Sequence, residues 1–174
     1  METQSPKTSK FILNYGILLG IISVVLGVIM YVTNSYLDPS WIYIVISLAI
    51  SIAILFIGIK AFKTENGGFL SLGEALKVGV GISLISGIIT SIWSFLLMTV
   101  IEPTYMDQMM DMQREKMAER GMAEAQIDAA MEMSAGFMSP WISIAIQLAV
   151  GLFFGLIIAL IIGLILRQKN PHLA

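Results

Sequence analysis

Cysteine is absent from the 174 residues. Disulfides, thiolate–zinc sites and thiol chemistry are excluded with it. Histidine occurs once, at His172 beside the C-terminus, so imidazole catalysis and histidine metal clusters go too. Charge is scarce: Asp, Glu, Lys and Arg make up 13% of the chain, and the net charge is −2. There is no HExxH motif, and no Ser/Lys or paired-Asp arrangement inside an apolar run. No basic patch calls for nucleic acid. The chain reads as a non-enzyme, with no cofactor and no metal ligand set.

What the chain has is hydrocarbon. Its mean hydropathy is +0.86. Four apolar runs span Phe11–Val32, Trp41–Ile59, Leu76–Ile101 and Trp141–Leu166, and the one charge in them is Lys77, at the start of the third. A helix needs ~20 residues to cross ~30 Å of hydrocarbon, and each run is near or above that. The first is too long for a signal-peptide core and no A-x-A-like cleavage site follows it, so it reads as a retained helix. The sequence therefore predicts an all-α fold, an integral membrane four-helix bundle filling residues 1–174 as one domain.

Basic residues orient the bundle. Lys7, Lys10, Lys60, Lys63, Lys77, Arg167 and Lys169 fall on one side, seven in all; Arg114, Lys116 and Arg120 fall on the other. The asymmetry predicts both termini in the cytoplasm and a periplasmic excursion between spans 3 and 4. That segment, about 104–138, is helical by composition. Asp107, Asp111, Glu115 and Glu119 make one acidic stripe, and Glu124, Asp128 and Glu132 repeat the spacing. Met106, Met109, Met110, Gln113 and Met117 make the opposed face. The expectation is a helical hairpin broken at Gly121, Met side inward, with Met112 and Met122 off the packed face.

Local signals mark the ends. Pro39 stops helix 1 from continuing, and Ser40 is placed to cap a short second helix ending near Ile59. Asn66-Gly67-Gly68 is a turn, and Ser71 to Glu74 fits the S-x-x-E capping box. Pro103 is placed in the first turn of the next helix.

Small residues recur at helical spacing. Gly16, Gly20, Ser23 and Gly27 lie in span 1, and Ser47, Ser51 and Gly58 in span 2. Gly79, Ser83, Gly87 and Ser91 lie in span 3, and Gly151, Gly155, Ala159 and Gly163 in span 4. Such stripes let helices approach closely in lipid; packing within the bundle is the expected use, with a homo-oligomeric contact as the second. Polar groups at membrane depth are few: Asn14, Thr90 and Gln147, none ionisable. Gln147 is expected to hydrogen-bond another helix. Nine of the twelve Met lie in 102–139. Thioethers suit Cu(I), but methionine also favours helices and packs adaptably, and packing is the expected role.

The Gly67-Gly68 turn, Phe69-Leu-Ser-Leu-Gly-Glu-Ala-Leu-Lys-Val-Gly, the long apolar helix and Ile101-Glu-Pro103 together resemble a bacterial family known as domain of unknown function 4199. The plan around them is similar: two spans before, a Met- and acid-rich segment after, then a last span. The resemblance implies a four-span inner-membrane protein of Gram-negative bacteria and no particular activity. The partners expected are membrane lipid and another membrane protein, a second copy included. The functional expectation is a non-catalytic binding or scaffolding component, with a small transporter or channel subunit as the alternative.

Overall fold

Inside hydrocarbon every backbone amide must find its partner within its own segment, which leaves an apolar chain the helix. The computed structural model describes residues 7–136 and 139–168. It contains α1 (Thr8–Val32), α2 (Trp41–Glu65), α3 (Leu72–Leu96), a π-helical turn (Leu97–Ile101), α4 (Tyr105–Glu119), α5 (Glu124–Ala135) and α6 (Pro140–Leu166). No strand forms among the described residues. α1, α2, α3 with its π turn, and α6 are each long and apolar enough to cross a membrane. Residues 137 and 138, at the end of the expected outer segment, lie outside the described residues, as do His172 and Lys169.

Helix ends follow local chemistry. α1 closes in a Schellman motif: Asn34 turns left-handed at φ 53°, and the Asn34 and Ser35 amides donate to the Tyr31 and Met30 carbonyls at 3.0 and 2.8 Å. Gly121, at φ 75°, ends α4 the same way, with the Gly121 and Met122 amides reaching Ala118 and Met117. Ser71 and Glu74 form the expected capping box at the start of α3. Ser139 caps α6 through the Ile142 amide. Ser40 stands at the N-cap of α2, but its side chain makes no capping bond.

The structure moves three boundaries. α2 is a full 25 residues and runs past Ile59 to Glu65; its last turn carries Lys63, where a cation complements the helix dipole. α3 begins at Leu72, right behind its cap, rather than at Leu76. Pro103 precedes the N-cap Thr104 instead of starting α4, and the chain reaches it through the π turn.

Contacts between loops show how the spans alternate. Leu70, between α2 and α3, exchanges backbone hydrogen bonds with Gln168, just past α6, at 2.9 and 3.0 Å. Lys10 pairs with Glu65 at 3.4 Å. The start of α1, end of α2, start of α3 and end of α6 therefore share one end, the terminal end. At the opposite end Lys116 of α4 pairs with Asp38 of the α1–α2 turn at 2.6 Å, and the hairpin of α4 and α5 rests there.

The core is lopsided. α3 packs along both α1 and α6. The buried residues of the spans are Phe11, Gly16, Leu19 and Gly20 of α1; Ile54, Leu55, Gly58, Ile59 and Phe62 of α2; Ala75, Val78, Gly79, Ile82 and Ser86 of α3; Gly155, Ile158, Ala159, Ile162 and Gly163 of α6. These lie from the terminal end to mid-span; at the hairpin end the π turn adds Leu97. Toward the hairpin, the first half of α2 and the first half of α6 are largely exposed. Toward the hairpin α1 stays against α3, where a Cβ at Gly27 would lie 2.6 Å from Nε1 of Trp93, and the packing between α2 and α6 loosens.

Candidate functional site

The glycines explain the close packing. A Cβ at Gly16 would lie 2.6 Å from Cβ of Ile85, and one at Gly20 2.7 Å from Cδ1 of Ile89. These two bring α1 against α3. Gly79 faces Ala159, Gly155 faces the Ser83 side chain, and Gly163 would meet Cβ of Ala75 at 2.8 Å; these bring α6 against the other side of α3. A Cβ at Gly87 would meet only the tip of Leu148, at 2.6 Å. Gly151 departs from the packing expectation: a Cβ there would meet nothing within 4 Å. The stripe on α6 makes no close contact at Gly151, although α6 still meets α3 beyond it, through Leu148 at Gly87 and Trp141 at Phe95. The Ser91 hydroxyl is buried without a hydrogen bond.

Where the helices separate, three adjoining cavities form. The first, about 270 Å³, lies between all four spans and is lined by Ser23, Ser51, Ser83, Ser86, Thr90, Gln147 and Gly151 among apolar neighbours. The second, about 270 Å³, continues toward the hairpin past Gly27, Ser47, Trp93 and Ser94. The third, about 390 Å³, lies beneath α4 and is lined by Met98, Tyr105, Met106, Met109, Gln113, Ser134, Ser143 and Gln147. Gln147 borders all three. Leu55, Ile59, Val78 and Ile82, all fully buried, lie on the terminal side of this slot. Gln147 and Gly151 stay exposed while lining it, so the slot is open at its side.

Its chemistry is softer than its composition implies. Ser47 and Ser51 donate to the carbonyls of Tyr43 and Ser47, both at 2.8 Å. Ser83 donates to Gly79 at 3.0 Å, and Thr90 to Ser86 and Gly87 at 3.1 Å. These hydroxyls satisfy themselves on their own helices, and their methylene and methyl groups line the slot. Gln147 accepts from Ser94 of α3 at 3.0 Å, the interhelical bond its position led us to expect. Among the described residues, no charged one lines any of the three cavities. At the hairpin end, Oε1 of Gln113 is buried with no partner.

The hairpin roofs this end. Arg114 pairs with Asp128 across α4 and α5. Tyr36 donates to Gln108 at 2.9 Å and stacks on Tyr105 at 5.9 Å between ring centroids. Gln108 in turn donates to Glu102 at 2.9 Å. Burial pushes both the Tyr36 and the Tyr105 phenols above their ordinary value; the Glu102 carboxylate adds to the first and Tyr36 to the second. Asn14 belongs elsewhere, in an open crevice at the terminal end with Lys10, Thr64 and Glu65.

The sequence offered most of the slot's residues, but as packing. Ser23, Ser47 and Ser51 fall within small-residue stripes, and nothing in the sequence distinguishes Met98. The available signal was the number of hydroxyls in spans 1 to 3 at the depth of Thr90.

No curated protein and no solved structure matches the chain. Residues 14–168 match the family described as "Protein of unknown function (DUF4199)". With nearly the whole chain covered, from midway in the first turns of α1 to the residue that bridges Leu70, the protein belongs to that family.

Proposed function

We propose that the protein is a non-catalytic binding component of a bacterial inner membrane, taking up another membrane component in the slot between α2 and α6. Both termini lie in the cytoplasm and the hairpin in the periplasm; the seven-to-three basic asymmetry supports this orientation. The observation that carries the reading is the slot itself. Its walls are mostly apolar and, among the described residues, uncharged; it opens sideways where the surrounding solvent is lipid, and it is roofed by polar groups. A soluble substrate would have to leave water for a site that offers it few free hydrogen-bonding groups.

Native mass spectrometry of the protein released in mild detergent tests this. A mass increment of membrane origin is expected on the wild type and absent from Gly151→Leu, which fills the slot where a side chain meets nothing. Bare protein in both samples would sink the reading.

One observation favours the transport alternative: the slot reaches the middle of the bundle from one end only, as one state of an alternating pathway would. The absence of cysteine makes this separable. Gly151→Cys in sealed vesicles should be shielded from a water-soluble maleimide on both sides if the slot only takes up lipid. Equal reaction from both sides would favour transport.

A further inference from the structure

The slot's dimensions, polarity and charge identify its occupant more narrowly, on the reading that it binds a membrane component at all. Size comes first. A helix with its side chains is ~10–12 Å across and rises 5.4 Å per turn, so one turn fills on the order of 500 Å³. The two cavities along the spans hold about 270 Å³ each. A partner helix does not fit between α2 and α6, whereas a single hydrocarbon chain does. Length agrees. From Ser83 to Met98 the slot follows α3 for fifteen residues, roughly 22 Å at 1.5 Å per residue, longer than the ~15 Å half of the hydrocarbon core that one leaflet fills.

Charge then limits the head. Among the described residues, no Lys, Arg, Asp or Glu lines any of the three cavities. The nearby cations Arg114 and Lys116 are engaged by Asp128 and Asp38. A phosphate or carboxylate head would find no counter-charge there. Polar but uncharged groups gather beneath α4 instead: Tyr105, Gln113, Ser134, Ser143 and Gln147. The buried end of the Gln113 amide has no partner, and a buried polar atom left so is costly unless a ligand or water completes it.

We propose that the slot holds the single chain of a lipid with an uncharged head that donates a hydrogen bond — the hydroxyl of an alcohol or monoglyceride, or an amide N–H. The head lies under α4 at Gln113. The chain runs along α3, past Gln147 and Thr90, to Ser86.

The full-length protein in phosphatidylcholine nanodiscs is photolabelled with a monoacylglycerol carrying a mid-chain diazirine, and separately with the fatty acid of the same chain. The monoacylglycerol should label α3 and α6 peptides at least several-fold more than the acid. Gly151→Leu should abolish that labelling at unchanged melting temperature, and Ser51→Leu, from the facing wall, serves as a second block. Gln113→Leu should weaken monoacylglycerol labelling about fivefold, as for one hydrogen bond, and leave the acid unaffected. Equal labelling by both probes, still blocked by Gly151→Leu, would overturn the head assignment and spare the binding reading. Labelling insensitive to both blocks would overturn the slot as a binding site. A photocrosslinker at position 151 that captured a second copy of this chain would replace lipid by protein as occupant.

Discussion

Single glycines on α3 and its neighbours differ in what they hold apart, and the difference is measurable. At Gly16 a larger side chain would strike the branched Cβ of Ile85 2.6 Å away and the Ile82 carbonyl at 3.2 Å; neither can swing aside. At Gly87 the obstacle is the flexible end of Leu148, beside a cavity that can take it up. At Gly151 there is no obstacle. Substitution by leucine should therefore lower the melting temperature in detergent most at Gly16, less at Gly87 and not at Gly151. Overpacking of the first kind typically costs ~1–3 kcal/mol. Equal losses at all three would mean that Gly151 is packed against a neighbouring helix. The order was not legible in the sequence, where all three glycines look alike within stripes of the same spacing.

At the scale of the element, the hairpin offers two tests. α4 carries no fully buried side chain; Met106, Met109, Met110, Met112 and Met117 are all half-buried. Met112 thus departs from its expected place off the packed face. α5 holds the contrast instead: Met131 is 8% exposed and Met133 is 77% exposed. Mild peroxide should oxidise Met133 and Met122 well before Met131, read by peptide mass spectrometry. Similar rates at all of them would mean the hairpin is unpacked.

The docking of this hairpin on the α1–α2 turn should also depend on pH. The Tyr36 and Tyr105 phenols are held above their ordinary value, chiefly by burial, while in the unfolded chain they ionise near ~10. The folded state thus keeps the proton longer. Its advantage is whole below about pH 10 and is lost as pH rises from there through the higher folded values. The melting temperature should fall more steeply between about pH 9.5 and 11 in the wild type than in Tyr36→Phe/Tyr105→Phe. Parallel slopes would place the two rings in water.

The orientation belongs to the whole molecule. A reporter enzyme active only outside the cytoplasm should be active when inserted after Gln126 and inactive after Lys169. The reverse result would invert the bundle and put the open end of the slot on the cytoplasmic side. In either orientation, Trp41 and Trp141, both 71% exposed, start α2 and α6 at the hairpin end, where amphipathic rings suit the membrane–water boundary. The two helices flanking the slot are thus each provided with a ring suited to that boundary, at the end where they part.

The number of spans, their rough limits, the capping box at Ser71 and Glu74, the break at Gly121 and the helical hairpin were all determined by the sequence alone. Each depends on a property summed along the chain or on a few neighbouring residues: length against the hydrocarbon thickness, a cap, a left-handed glycine. Where the bundle packs closely, and that the packing between α2 and α6 loosens into a slot at Gly151, only the tertiary structure decided. A helix in lipid is apolar on every side, so no periodic contrast separates the face that meets protein from the face that meets lipid. Gly155 and Gly151 stand one turn apart on one face of α6, and only the position of Ser83 on another helix makes one a contact and the other a wall.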